Sequence, residues 1–130
     1  MARRQVALTG KKSGTSRKRG YPDAPQTYDD FVRQFPHLAE AWEVMGKAGE
    51  KGPLDRKTTR LIKLSIAIGA MREGAVHAST RKALSMGITR KEIEQVLTLA
   101  AGTLGLPSTV AVFSWIRDEL ERDSSTTRSH

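Results

Sequence analysis

The chain of 130 residues contains no cysteine. That absence excludes disulfides, thiolate metal centres and dithiol redox chemistry, and it is compatible with a reducing cytoplasm. Long apolar runs are missing as well. None approaches the roughly 18–20 residues that span a bilayer, so no membrane partner is expected. Histidine is scarce: His37, His77 and His130 are the only three. None sits in an H-x-x-x-H or E-x-x-H arrangement, so neither a metal nor another cofactor is expected. Aromatic residues make up 5% and do not alternate with basic ones. A single-strand nucleic-acid binder would interleave the two.

Acidic residues are absent from positions 1–20, where seven bases stand: Arg3, Arg4, Lys11, Lys12, Arg17, Lys18 and Arg19. The net charge of +8 therefore belongs mainly to this segment, because the other 15 bases face 14 acids. A polar stretch so poor in large apolar residues does not bury enough surface to offset its ordering entropy. It reads as a flexible basic arm, either simply solvated or contacting a neighbouring subunit, an acidic partner or nucleic acid. Its one apolar patch, Val6 to Leu8, is too short for a secretory core, and the amphipathic pattern of a transit peptide is weak. The expected location is cytoplasmic.

Helical periodicity begins at YDDFVRQF, which sets Phe31 and Phe35 four apart, and Pro36 interrupts it. HLAEAWEVMGKAG carries a stripe of Leu38, Ala41, Trp42 and Met45, predicted to face a core, with Trp42 in the core or a subunit interface. In LDRKTTRLIKLSIAIGA, Asp55 is the expected N-cap of a helix so apolar that burial on several sides is predicted. The next helix runs from about Arg72 to Met86 and closes at Gly87. ITRKEIEQVL carries a capping box, Thr89 with Glu92, and a staple from Ile88 to Ile93. Gly105 ends that helix, and Pro107 suits the first turn of a last one, with Val110, Phe113 and Leu120 on a helical face beside Trp115 and Ile116. The expected organisation is a basic arm over 1–20, an all-α compact bundle of about six helices over 21–124, and a frayed polar end over 125–130. A nearly all-apolar central helix in so small a bundle also predicts a homo-oligomer.

The one juxtaposition with chemistry in it is MREGAVHASTRKALSMG. Glu73 and His77 stand at i and i+4 on one helical face, where a carboxylate can orient an imidazole and favour its charged form. Such a pair is a workable general acid and base. It is also common as helix-surface decoration worth a few tenths of a kcal/mol. Arg72 opposes the helix dipole, so helix stability does not explain it, and it is a candidate for binding a substrate carboxylate. Arg81 and Lys82 are expected on the exposed face.

Residues 54–106 resemble the carboxymuconolactone decarboxylase / alkyl hydroperoxidase D-like (AhpD-like) superfamily. The resemblance is carried by LDRKTTRLIKLSIAIGA, EGAVHASTRKALSMGITRKEIEQVL and AAGTLGLP, in that order. Redox members of that superfamily carry a Cys-x-x-Cys-x-x-x-His motif and an acidic residue about a helix earlier. Setting the motif's histidine on His77 puts its cysteines at Ala70 and Glu73. Anchoring on the ungapped STRKALSMGITRKEI puts the histidine at Ser79, the cysteines at Arg72 and Ala75, and the acid at Arg60. Either placement removes the thiols and with them peroxide reduction by disulfide exchange. The resemblance is thus to the thiol-free branch. It implies a helical protomer assembled as a homotrimer or homohexamer, with a pocket near this helix.

The expected function is acid/base chemistry on, or binding of, a small organic acid, in the manner of a lyase or decarboxylase. Glu73 and His77 are its catalytic candidates, and Arg72 and Ser79 its substrate-binding candidates. The alternative is a non-enzymatic scaffold whose basic arms contact an acidic partner or nucleic acid.

Overall fold

A computed structural model of the chain describes residues 26–129. The expected arm over 1–20 lies outside the described residues. Six α-helices and no strand are found among those described: α1 Gln26–Gln34, α2 Pro36–Gly49, α3 Arg56–Gly69, α4 Glu73–Ser85, α5 Arg90–Leu104 and α6 Leu106–Ser129. No helix among them is long and apolar enough to cross a membrane. The described residues divide into two compact units, the first ending at Pro53 and the second starting at Leu54.

In the first unit, Pro36 both ends α1 and starts α2, since it lacks an N–H and disfavours a helical residue before it. Phe35 between them leaves the helical region, with φ −126° and ψ 69°. The rings of Phe31 and Phe35 meet at 5.3 Å between centroids. The predicted core stripe of α2 requires a correction. Leu38, Ala41, Trp42 and Met45 are exposed, Trp42 to 66%, and the buried residue of α2 is Ala39. Within its unit α2 packs on nine-residue α1, and a helix that short covers only a narrow strip.

The second unit holds a four-helix core of Leu64, Ala67 and Ile68 from α3, Val76 and Ala83 from α4, Ile93 and Leu97 from α5, and Val112, Ile116 and Leu120 from α6. Its helix ends follow from the sequence. Asp55 accepts the Thr58 N–H at 2.7 Å and caps α3. Thr89 and Glu92 form both bonds of the capping box at α5, with Ile88 and Ile93 buried in the core. Gly87 takes φ 88° after α4, and Ile88 N–H bonds back to Ala83 carbonyl at 3.1 Å, a Schellman turn. The same turn ends α3, but there the left-handed residue is Met71 at φ 54°. Arg72 N–H returns to Ala67 carbonyl at 3.2 Å. A side chain in that region is unfavourable by about 1 kcal/mol or more. The tight turn starts α4 at once and so places Glu73 and His77.

Two further expectations are corrected. Helix α3 is buried on one side only: Leu64, Ala67 and Ile68 face the core, while Ile62 and Ile66 are exposed, Ile66 to 64%. The inner face of α6 is Val112, Ile116, Glu119 and Leu120, and Val110 and Phe113 lie outside it. Glu119 hid the true stripe, because a carboxylate at a core position breaks the apolar pattern. Helix α6 also continues to Ser129, beyond the expected frayed start at 125. After Pro107 the chain contains neither glycine nor proline to stop it.

Candidate functional site

Glu73, His77 and Arg81 follow one another at four-residue steps along α4, so they share the flank that packs against α6. Helix α6 answers with Glu119 and Arg122. The centre is Glu119, whose side chain is 2% exposed. His77 Nδ1 lies 2.6 Å from its Oε2. Arg81 Nη1 donates to the same oxygen at 3.2 Å, and Arg122 Nη1 donates to Oε1 at 3.4 Å. On the other side of the imidazole, His77 Nε2 stands 3.5 Å from Glu73 Oε2, at the solvent-facing end of the cluster. The histidine therefore has one ring nitrogen against a buried carboxylate and the other toward an exposed one. Its side chain is 19% exposed, so the ring is not sealed from solvent.

Desolvating a carboxylate this completely is costly unless its lone pairs are filled. Here three cationic or cation-capable groups fill them. The arrangement can hold an imidazole in one orientation and exchange a proton at its open nitrogen.

Of the four candidate residues, the structure brings together Glu73 and His77. Arg72 is the exposed N-cap of α4, with no side-chain capping bond, and is not a partner in the cluster. Ser79 is half-buried and sits about 200° round the helix from His77. Arg81, expected on the exposed face, is instead half-buried and bound to Glu119. Sequence spacing missed Glu119 and Arg122. The available signal was weak: the acid at 119 follows Ile116 by three residues and precedes Leu120, but it stands among charged neighbours, Arg117, Asp118, Glu121 and Arg122. Among the described residues, no three His, Asp or Glu side chains converge as a metal site.

Two neighbouring features bear on the chemistry. Arg60, where the resemblance would put an acid, is half-buried, and desolvation holds its guanidinium below the usual arginine range, helped by nearby Arg56. Among the described residues it forms no ion pair with a carboxylate. On the opposite seam, between α3 and α5, an open groove of about 580 Å³ is lined by Leu61, Ile62, Ser65, Val96, Leu99 and Ala100. It contains none of the candidate site residues. Its rim carries an ion pair from Lys57 to Glu92, which with the Thr89 N–H holds the Glu92 carboxyl below its usual range.

The fold and the cluster define a cysteine-free, all-helical protein that seats a histidine between two carboxylates. A family model fixes the affiliation: the carboxymuconolactone decarboxylase family matches residues 36–118. That is more than half of the chain, and the chain belongs to this family. The match ends one residue before Glu119. No curated protein and no solved structure matches the chain.

Proposed function

We propose that the protein is a thiol-free member of the family that acts on a small organic acid by proton transfer, with His77 as the general acid and base and Glu73 as its solvent-side relay. One observation carries this reading: the imidazole is anchored at Nδ1 by a buried carboxylate while Nε2 faces the exposed carboxylate of Glu73. Decoration of a helix surface requires no such anchor. Arg72, one residue before Glu73, is the candidate to draw in a substrate carboxylate, and Ser79 a candidate to bind its other polar end. The protomer is proposed to work as a homotrimer or homohexamer in the cytoplasm, since Ile62, Ile66 and Leu99 leave apolar surface uncovered.

The test is a panel of small β-keto acids and carboxylated lactones, assayed for decarboxylation and for deuterium uptake at carbon. A general acid/base contributes about 10²–10⁴-fold, so His77→Gln should lower the rate by at least 100-fold with the fold intact. Glu73→Gln should lower it less. A panel with no turnover, or a His77→Gln protein as active as the parent, defeats the reading.

The second reading, a scaffold with basic arms, draws on the seven bases without an acid in residues 1–20. Nucleic-acid affinity that falls steeply with salt and disappears when those residues are deleted would support it. Affinity unchanged by the deletion would remove it.

A further inference from the structure

Glu119 lies outside the segment matched to the family and was not among the residues the α4 spacing brought forward. It is nevertheless 2% exposed, with a partner at each carboxylate oxygen. Guanidinium groups only donate hydrogen bonds. Arg81 reaches Oε2 at 3.2 Å and Arg122 reaches Oε1 at 3.4 Å, so both carboxylate oxygens act as acceptors. An ionised carboxylate has no proton to give, so in the 2.6 Å contact with His77 the ring is the donor. Glu73, exposed and at 3.5 Å from Nε2, is too far to compete for the neutral ring's single proton.

We propose that Glu119 is a positioning residue that fixes His77 in the tautomer with its proton on Nδ1, leaving Nε2 as the one ring atom that takes up and releases protons. Arg81 and Arg122 hold the carboxylate so that it accepts from the ring. When Nε2 takes a proton, the ring becomes an imidazolium with a carboxylate facing each nitrogen: Glu119 at Nδ1, which keeps its hydrogen throughout, and Glu73 at Nε2. Release from Nε2, past Glu73 toward solvent, restores the neutral ring. The proton thus enters and leaves by the same atom, and Glu119 never carries it. The catalytic consequence rests on the acid–base reading above, whereas the tautomer itself does not.

The experiment reads the ring directly. Long-range ¹⁵N–¹H correlation spectra of the full chain at neutral pH distinguish a protonated from a bare ring nitrogen. Single His37→Gln and His130→Gln variants assign the His77 signals. The expected parent spectrum has a protonated Nδ1 and a bare Nε2. In Glu119→Gln, an amide can present either its oxygen or its NH₂ to Nδ1, so the bias should fall on the order of tenfold, the worth of a charge-assisted bond. Arg81→Met removes a tie between α4 and α6 but leaves the acceptor, so its ring should keep the parent tautomer.

A parent ring protonated on Nε2 overturns the inference, and so does a Glu119→Gln ring with the parent pattern. Loss of the bias in Arg81→Met to the same extent as in Glu119→Gln would reduce Glu119 to a structural role and overturn it equally. Because the parent spectrum alone is decisive, the test survives any variant that fails to fold. A chain that turns over nothing yet shows the Nδ1–H ring removes the acid–base reading and leaves this one standing.

Discussion

The two seams of the second unit are built from opposite materials. Between α4 and α6 the contact is polar and closed, with Glu119 at its centre holding His77, Arg81 and Arg122. Between α3 and α5 the surface is apolar and open, with Leu99 exposed to 73%. Burial and polarity are thus reversed from the usual order. A buried carboxylate is tolerated only when every partner is in place, which fixes side-chain directions closely. An open apolar groove fixes nothing by itself, because dispersion and the hydrophobic effect are not directional. Orientation-demanding chemistry therefore belongs on the α4–α6 seam, although the open groove is on the other one.

The strongest way to break that contrast is Glu119→Leu. It leaves Arg81 and His77 partly desolvated with no acceptor between them. Removing one partner of a buried ion group costs about 3–5 kcal/mol, and the partial exposure of the two donors places the expected loss near the lower figure, about 3 kcal/mol. Urea denaturation measures it. A loss under about 1 kcal/mol would show that apolar packing, not the carboxylate, holds this seam.

How much of this was legible in the sequence divides along the same line. Local rules were readable: the Asp55 cap, the Thr89–Glu92 box and the Gly87 stop depend on residues three or four apart, and each forms as spaced. Pairing of Glu73 with His77 was readable for the same reason, being one helical turn. Glu119 stands 42 residues from His77, and no local period links them. The misread faces have one cause. An apolar stripe says which side of a helix is oily but not what covers it: Trp42, expected in a core or a subunit interface, and Ile66, expected to be buried, are both exposed in the single chain. On α6 the reverse holds: Glu119 is acidic yet occupies a core position, which an apolar stripe does not mark.

A smaller effect is expected at the rim of the open seam under acid. The Glu92 carboxyl is held below its usual range first by its bond with Lys57 and then by the Thr89 N–H, and Asp55 is held low by the Thr58 N–H. Folded-state values below the unfolded ones mean that both groups add stability above the ordinary carboxylate range near pH 4. That contribution fades as the pH falls through the lower folded values. Lys57→Met removes the largest cause at Glu92, so its urea midpoint should decline less steeply below about pH 4 than the parent's. Parallel declines would show that the Lys57 pair adds nothing in solution, as exposed pairs often do not.

The smallest expected effect is the most telling about what the groove is for. Leu97 and Leu99 stand two residues apart on α5, one buried in the core and the other at the groove. In the isolated protomer, Leu97→Ala should cost about 3 kcal/mol, because it opens a cavity among packed side chains. Leu99→Ser should change stability by no more than about 0.5 kcal/mol, because its side chain already meets water. A Leu99→Ser loss above about 1 kcal/mol therefore has only one source, something that covers the groove in solution. If a second copy of the chain is the cover, the parent's unfolding midpoint will rise with protein concentration, and the variant's will not. If neither protein shows that dependence and Leu99→Ser remains neutral, the α3–α5 groove is open surface, and the proposed oligomer must be built through another face.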